Sequence, residues 1–341
     1  MRVRVPARPA AALALLVAIA LPACDRAPTV ESRTDFVMGT LAELKVVSDD
    51  PVTAREALDR AFARLREIEA LTTSYSETSE PARLARANGA WVEGVSPEVD
   101  EILTLGLRIA AESDGAFDPT AGALVAAWGW PEDPALPDSA TVAAAVATVG
   151  WRDVERAERA PGRIAWRLGR PGMKLDLGGV AKGWAVDRAA DVLLGVSDHC
   201  IVNAGGDLVV RGHRPDGKAW LIGVQDPRDA SRIFLKLRLP DGTAVATSGD
   251  YQRFFEVDGV RYHHLLDPRT GWPAREVHSA TVIAPDCATA DAWATAAFVL
   301  GAEAGIAALE RQPDLEGLLV TYDAKGDLVS HETPGFARYR E

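Results

Sequence analysis

Residues 317–332, GLLVTYDAKGDLVSHE, decide the class of fold. Two short runs rich in aliphatic residues, 317–322 and 328–332, flank a turn at Lys325 and Gly326. This pattern predicts an antiparallel hairpin, because a tight turn containing glycine reverses the chain between neighbouring strands. The same kind of pattern predicts further short strands at 41–47, 164–168, 173–175, 200–211, 220–225, 233–239, 254–257 and 279–284.

Helical periodicity predicts helices between these strands. The first covers 53–71 and has Thr53 as its N-cap, and the others cover 97–113, 139–149, 184–194 and 288–300. Strands and helices do not alternate in the regular order of a doubly wound sheet. We therefore expect an α+β fold, a mainly antiparallel sheet core with packed helices, in one domain at 36–341.

The N-terminus resembles a bacterial lipoprotein signal. Arg2, Arg4 and Arg8 precede an uncharged apolar run at 10–21 that is too short to span a membrane. The run ends in LPAC at 21–24, which predicts a signal peptide at 1–23, lipidation of Cys24 and a tether at 24–35. The alternative is a plain signal peptide with a chance cysteine. Asp25 follows the lipidated position, and we expect a lipid-anchored protein at the bacterial inner membrane, facing the periplasm.

Composition and missing motifs exclude several classes of protein. The formal net charge of −12 argues against non-specific binding of nucleic acid. A dinucleotide-binding G-x-G-x-x-G, a phosphate loop, a G-x-S-x-G elbow, an H-x-x-x-H pair and a C-x-x-C pair are all missing from the sequence. An acidic protein that binds a phosphate-bearing ligand therefore needs a metal ion or backbone N–H groups to balance the charge.

Small turn-forming residues lie beside carboxylates or hydroxyls in five groups of segments. Such turns expose backbone groups and could surround a phosphate and a hard cation. The segments are VMGT at 37–40, GAFDPTAG at 115–122, LDLGGVAKGWAVD at 175–187, NAGGD at 203–207 with ATSGDY at 246–251, and HLLDPRTG at 264–271 with TADAWAT at 289–295.

These segments, in this order, resemble the ApbE family of FAD:protein FMN transferases. The resemblance implies a tunnelling-fold-like architecture and an enzyme that binds FAD and Mg²⁺. It further implies transfer of FMN to a Thr or Ser hydroxyl of a target protein with release of AMP. By the same resemblance, the targets are subunits of membrane redox complexes that contain an Asp-Gly-x-Ser-Gly-Ala-Thr-like segment.

The resemblance also implies roles for individual residues. His264 would be the base, with Asp267 orienting it, and the Mg²⁺ ligands would be the Gly179 carbonyl, the Asp291 carboxylate and the Thr295 hydroxyl. Positions that would contact FAD are Met38, Tyr75, Ala116, Phe117, Asp118, Asp176, Lys182 and Leu266.

Spacing supports part of this assignment independently. Asp291 and Thr295 are four residues apart in a predicted helix, so their oxygens would face the same direction. Mg²⁺ prefers a few hard oxygen ligands from protein, with phosphate oxygens and waters completing its coordination. Ala294 stands where some family members have a further acid, so one protein ligand could be missing here. Histidine is the side chain that titrates near neutral pH, but His263 precedes His264, and the sequence leaves open which one faces the site.

Two other functions are compatible with the same residues. The pocket could pass the FMN phosphorus to water, as a FAD pyrophosphatase, or it could belong to a non-catalytic flavin-binding lipoprotein. The sequence also leaves open whether Cys200 and Cys287 form a disulfide.

Overall fold

The computed structural model describes residues 28–341, so the predicted signal peptide and Cys24 lie outside the described residues. The strands are β1 (Thr29–Val37), β2 (Thr40–Ser48), β3 (Val92–Glu93), β4 (Val154–Ala160), β5 (Arg163–Leu168), β6 (Cys200–Ala204), β7 (Asp207–Arg211), β8 (Trp220–Asp226), β9 (Asp229–Leu239), β10 (Thr243–Gly249), β11 (Phe254–Val257), β12 (Val260–His263), β13 (Ser279–Ala284), β14 (Glu316–Tyr322) and β15 (Leu328–Glu332). The helices are α1 (Pro51–Thr72), α2 (Glu80–Arg86), α3 (Pro97–Glu112), α4 (Gly122–Ala127), α5 (Ser139–Val146), α6 (Gly178–Leu194), α7 (Cys287–Leu300) and α8 (Ala302–Glu310), with short 3₁₀ turns at Trp151–Asp153 and Phe336–Tyr339.

An eight-stranded sheet in the order β1-β2-β6-β7-β10-β13-β14-β15 forms the centre of the described chain. Each neighbouring pair in this sheet is antiparallel, as the register of β10 against β13 and of β13 against β14 illustrates. The expected α+β fold with a mainly antiparallel core is therefore confirmed. The predicted hairpin of 317–322 with 328–332 is the β14–β15 pair.

Both faces of the sheet are buried, which explains why its strands are more continuously apolar than simple alternation predicts. Val46 of β2 packs in the cluster formed with α1 and α6, whereas the next residue, Val47, packs in the cluster formed with the β8–β9 hairpin. Val202 and Ile201 of β6 divide in the same way. The helices thus cover one face and the β8–β9 hairpin covers the other, and the helical face carries α6 and α7.

The first helix begins earlier than the sequence predicted, and Thr53 is not its N-cap. Asp50 is the N-cap, because its Oδ1 accepts hydrogen bonds from the backbone N–H groups of Val52 and Thr53 at 3.0 and 3.3 Å. Pro51 occupies the first helical position, where a missing N–H costs nothing. An Asp-Pro pair is therefore the true start of the helix.

The strands also differ from the predictions at three places in the chain. The part of the predicted tether from Thr29 to Asp35 belongs to β1, because it pairs with β2 along its whole length. Residues 173–175 form no strand and make only an isolated bridge between Lys174 and Ala121. Residues 200–211 form two strands rather than one, since Gly205 and Gly206 adopt positive φ angles of 63° and 100° and reverse the chain.

The helix predicted at 184–194 begins six residues earlier, at Gly178. Glycine lowers helix propensity, which is why the sequence pattern did not predict the first six residues of this helix. The Asp176 Oδ1 accepts a hydrogen bond from the Gly178 N–H at 2.9 Å and so stabilises the start of the helix. The extension matters for function, because it places Gly179 and Gly183 on a helix rather than in a loop.

The two cysteines of the described chain are both buried free thiols. Cys200 begins β6 and Cys287 begins α7. Cys200 and Cys287 therefore do not form a disulfide in this structure. Among residues 28–341, no helix has the length and apolar character that crossing a membrane requires.

Candidate active site

Helices α6 and α7 approach each other at a contact made by glycine. A Cβ atom at Gly183 would collide with the carbonyl of Cys287, so only glycine allows this approach. The Gly183 N–H donates to the Asp291 Oδ2 at 3.0 Å. The Asp187 carboxylate, one turn further along α6, accepts hydrogen bonds from the N–H groups of Cys287 and Ala288 at 2.9 and 3.0 Å. These contacts fix the start of α7 against α6.

The three residues predicted to hold a metal ion lie at this helix crossing. Asp291 is buried on α7, and Thr295 follows it one turn later. A Cβ atom at Gly179 would lie 3.3 Å from the Thr295 Oγ1, so the α6 backbone passes directly beside this hydroxyl. The Thr295 Oγ1 is also 3.3 Å from the Ser248 Oγ on β10. The structure places the three residues at one helix crossing, and their role as metal ligands stays a prediction.

Gly183 also affects the Gly179 carbonyl. In a regular α-helix the N–H of residue i donates to the carbonyl of residue i−4, which makes Gly183 the usual donor to Gly179. Here the Asp291 carboxylate accepts from that same N–H. A carbonyl oxygen has two lone pairs, so the Gly179 carbonyl retains capacity to bind another partner beside the shared Gly183 N–H.

A buried lysine and two aspartates carry the charge of this region. The Lys182 Nζ lies 2.6 Å from the Asp207 Oδ2 at the start of β7. Burial, together with the nearby Asp207 charge, raises the pKa of Asp291 to about 8. Burial alone would lower the pKa of Lys182, but Asp207 and Asp291 outweigh it and raise that pKa above its usual value. Lys182 is therefore a charged residue that Asp207 already neutralises. Asp207 belongs to the NAGGD segment at 203–207, but no individual role was predicted for it.

The segment from Ala116 to Asp118 packs against the start of α6. The Phe117 ring lies beside Gly179, since a Cβ atom there would be 3.0 Å from the Phe117 Cε2. The Asp118 carboxylate accepts from the Thr120 N–H and hydroxyl at 2.8 and 2.6 Å and from the Trp151 N–H at 3.1 Å. Burial raises the pKa of Asp118. Ala116 is buried, so Phe117 is the member of this segment that approaches the predicted metal ligands.

The structure distinguishes the two adjacent histidines. The His263 Nε2 donates to the Ala274 carbonyl at 2.7 Å, and its Nδ1 accepts from the Leu265 N–H at 3.3 Å. Both ring nitrogens are thus used within the fold, and burial lowers the pKa of His263 to about 4. His263 is a neutral structural residue.

His264 has a free ring nitrogen. Its Nδ1 donates to the Arg253 carbonyl at 3.2 Å, which leaves Nε2 as the atom that can accept a proton. Burial and the nearby Arg253 charge lower the pKa of His264 to about 3. His264 is therefore held as a neutral imidazole at pH 7, whereas the sequence predicts a group that titrates near neutral pH.

Asp267 does not orient His264. Its two carboxylate oxygens accept from the Arg269 side chain at 2.8 and 3.0 Å, and one of them also accepts from the Arg269 N–H. The backbone carbonyl of Arg253 orients the imidazole instead. Asp267 holds the turn after His264, and Leu266 in between packs into an apolar cluster that includes Trp128 and Trp130.

The remaining predicted FAD contacts surround a residue that the sequence analysis missed, Arg253. Met38 lies with a positive φ of 55° in the turn between β1 and β2, and the Arg253 Nη2 donates to the carbonyl of the next residue, Gly39, at 3.3 Å. Burial raises the pKa of Asp176, and the Arg253 charge opposes that rise. Burial and the Asp176 charge raise the pKa of Tyr75, again against Arg253. No sequence signal separated Arg253 from the other arginines nearby.

A cavity of about 580 Å³ lies elsewhere on the described chain. Its lining includes His199, Arg211, His213 and Asp241. It shares no residue with the predicted site. We therefore place the candidate site at the α6–α7 crossing, where the oxygen donors and His264 segment are found, and not at this cavity.

The fold of this chain is that of the flavin transferases, as two solved structures show. An ApbE protein from Thermotoga maritima superimposes with a TM-score of 0.82 at 34% identity, covering 92% of this chain and 100% of that chain. The flavin transferase ApbE from Vibrio cholerae superimposes with a TM-score of 0.80 at 29% identity, covering 92% of this chain and 99% of that one.

The chain belongs to the ApbE family, whose model matches residues 38–319. A relative from Treponema pallidum, named FAD:protein FMN transferase, is 34% identical over 310 residues, covering 86% of this chain and 85% of the relative. A protein of the same name from Salmonella typhimurium is 32% identical and covers 91% of this chain and 90% of the relative. The resemblance inferred from the five groups of segments is thereby confirmed at the level of the family.

Proposed function

We propose that this chain transfers the FMN part of FAD to a Thr or Ser hydroxyl of a target protein and releases AMP, with Mg²⁺ bound at the helix crossing. The meeting of Gly179, Asp291 and Thr295 supports this proposal most directly. The names of the relatives supply FAD, FMN and a protein acceptor. Among the finer points, the hydroxyl acceptor and AMP rest on the family resemblance, and Mg²⁺ rests on the resemblance and on the oxygen donors at the helix crossing.

The donor set fits a magnesium ion. A carbonyl, a carboxylate and a hydroxyl are hard oxygen ligands, and their small number leaves positions for phosphate oxygens and water. Within residues 28–341, no cluster of three or more His, Cys, Asp or Glu side chains has a metal-binding arrangement, so a cation here would depend on the carbonyl and the hydroxyl beside Asp291. When bound, Mg²⁺ would supply positive charge that stabilises the phosphate oxygens as the bond between the phosphates breaks.

Residues of this chain would prepare the nucleophile. A neutral hydroxyl is a poor nucleophile, and a positioned base makes it a better one. The His264 Nε2 is the atom that can take the hydroxyl proton, because Nδ1 is held by the Arg253 carbonyl. The hydroxyl oxygen then forms a bond to the FMN phosphorus, the bond from that phosphorus to the bridging oxygen breaks, and AMP leaves with the electron pair. Lys182, paired with Asp207 at 2.6 Å, would act on the bound ligand as a hydrogen-bond donor rather than as a source of net positive charge.

The decisive experiment for this function measures the intact mass of an acceptor protein. The purified chain is incubated with FAD, Mg²⁺ and an acceptor that contains an Asp-Gly-x-Ser-Gly-Ala-Thr segment. We expect the acceptor to gain the mass of one FMN, with an equal amount of AMP released. Free FMN and AMP with an unmodified acceptor would indicate a FAD pyrophosphatase instead. Uncleaved FAD would indicate a non-catalytic flavin-binding lipoprotein.

We also propose that the chain is lipid-anchored at Cys24 to the inner membrane and faces the periplasm, where subunits of membrane redox complexes would be its targets. The LPAC sequence at 21–24 after a short apolar run supports this location. Expression of the full chain and of Cys24→Ala, followed by membrane fractionation, tests it. The wild-type chain should sediment with membranes and the variant should not. Equal release of both would contradict the lipid anchor.

A further inference from the structure

The guanidinium of Arg253 is a cation at the site that has no acidic partner. Its Nη2 donates to the Gly39 carbonyl at 3.3 Å, and no carboxylate of the described residues lies within 4 Å of it. Arg253 is exposed. A guanidinium carries five N–H donors, so one hydrogen bond to a carbonyl leaves most of its capacity free.

Neighbouring cations differ from Arg253 in this respect. Lys182 lies 2.6 Å from Asp207, and Arg269 is held by the Asp267 carboxylate. Arg261, on the adjacent strand β12, lies 3.8 Å from Asp250 and 3.6 Å from Glu256. Arg253 therefore makes no ion pair within the described residues, and its charge acts on Asp176 from beyond 4 Å, where it opposes the rise of that carboxyl's pKa.

The position of Arg253 connects the parts of the site. Its side chain reaches the Met38–Gly39 turn, and its backbone carbonyl accepts from both the backbone N–H and the Nδ1 of His264 at 3.2 Å. The Arg253 charge also acts on the His264 imidazole, whose pKa it lowers, so a phosphate held by the guanidinium would lie near the proposed base.

The negative net charge of the protein favours a role for the Arg253 guanidinium in binding an anion. The chain has a formal net charge of −12. The diphosphate of FAD would meet repulsion unless positive charge offset it. Since Asp207 already balances Lys182, the predicted metal ion and Arg253 are two sources of the positive charge that the diphosphate needs.

We infer that Arg253 binds the diphosphate of FAD through its guanidinium and so positions the FMN phosphorus beside His264. The inference rests on the proposed function and adds to it a residue that recognises phosphate. It gives a role to a guanidinium that makes no ion pair within the described residues. Arginine suits the task, because its planar donors match phosphate oxygens two at a time.

The test compares ligands with and without phosphate. Flavin fluorescence titrations measure the dissociation constants of FAD and riboflavin for the wild-type chain, Arg253→Gln and Arg253→Lys. Loss of a charge-assisted hydrogen bond should weaken FAD binding to Arg253→Gln about tenfold to a hundredfold, and riboflavin binding should not change. Arg253→Lys should recover part of the FAD affinity, because it restores the charge without the bidentate geometry.

Arg261→Gln is the matched control, because it removes the same charge from the next strand, where carboxylates already balance it. It should bind FAD as tightly as the wild-type chain. The thermal unfolding midpoint of every variant is measured alongside. Unchanged FAD affinity in Arg253→Gln, or an equal loss for FAD and riboflavin, would overturn the role of Arg253 while leaving the proposed function intact. Lack of FAD binding by the wild-type chain would overturn the proposed function, and this inference with it.

Discussion

The Gly183 N–H donates to the Asp291 Oδ2 at 3.0 Å, and this bond joins α6 to α7 at the predicted metal site. The bond aims a buried carboxylate at the first turns of α6, where Gly179 faces Thr295. The proposed chemistry thus depends on one carboxylate of α7 that is hydrogen-bonded to the backbone of α6.

Replacement of Gly183 should disturb the site through packing. A methyl group in Gly183→Ala would collide with the Cys287 carbonyl, and overpacking of this kind costs about 1–3 kcal/mol of unfolding free energy. Gly106→Ala is the matched control, because a Cβ atom there would meet Phe117 and Pro119 at an ordinary 3.6 Å within α3. That variant should be unchanged or more stable by about 0.5–1 kcal/mol. Urea denaturation measures both. Equal stability of Gly183→Ala and the wild-type chain would contradict the close helix contact.

His264→Ala should lower the turnover of FMN transfer far more than it weakens FAD binding. The variant removes the free Nε2 and retains the backbone bond to the Arg253 carbonyl, and general base catalysis contributes about a hundredfold to ten-thousandfold in rate. Steady-state kinetics with an acceptor protein, combined with FAD titrations, separates the two effects. An equal loss of turnover and affinity would indicate a binding role for His264 rather than a catalytic one.

The two histidines should remain neutral under mildly acidic conditions. Burial lowers the pKa of His263 to about 4 and that of His264 to about 3, against an ordinary value of 6.5. Because the unfolded chain binds these protons more readily, their contribution to stability is complete above pH 6.5 and declines as the pH falls towards 4 and 3. NMR titration of the imidazole signals between pH 8 and pH 5 should show no protonation of either ring. A ring that titrates near pH 6.5 and disappears in His264→Ala would contradict this assignment.

Asp291→Asn should remove Mg²⁺-dependent transfer while the fold remains intact. The amide retains the size of the carboxylate and loses the negative charge that attracts a cation. Because burial and the Asp207 charge raise the pKa of Asp291 to about 8, the fold already disfavours its charged form, and the neutral amide should not lower the thermal midpoint greatly. Rate measurements against Mg²⁺ concentration, with circular dichroism for the fold, give the result. Full Mg²⁺-dependent activity in this variant would contradict the metal assignment.

The sequence predicted the class of fold because strand and turn patterns are local. The β14–β15 hairpin and the body of α7 needed only a run of apolar residues and a nearby turn. The start of α6 was missed because Gly178 and Gly179 are poor helix formers, and the helix begins there only through the Asp176 cap and the packing on α7. The start of α1 was missed because threonine and aspartate are both favoured N-cap residues, so the sequence alone did not decide between Thr53 and Asp50.

The candidate site was predictable where family motifs named residues, and unpredictable where partners come from distant parts of the chain. Asp291 and Thr295 share a helix, so their spacing indicated a common face. The pairing of Lys182 with Asp207 and the contact of His264 with the Arg253 carbonyl depend on tertiary packing. Asp267 was wrongly expected to orient His264, because nearness in sequence does not reveal that Arg269 takes both of its oxygens.

Anomalous diffraction from crystals grown with FAD and Mn²⁺, which replaces Mg²⁺ at oxygen sites, tests the central claim most directly. We predict one strong peak between α6 and α7, within coordination distance of the Gly179 carbonyl, the Asp291 carboxylate and the Thr295 hydroxyl, and in contact with the FAD diphosphate. Bound FAD with the manganese peak away from these three oxygens would contradict the account.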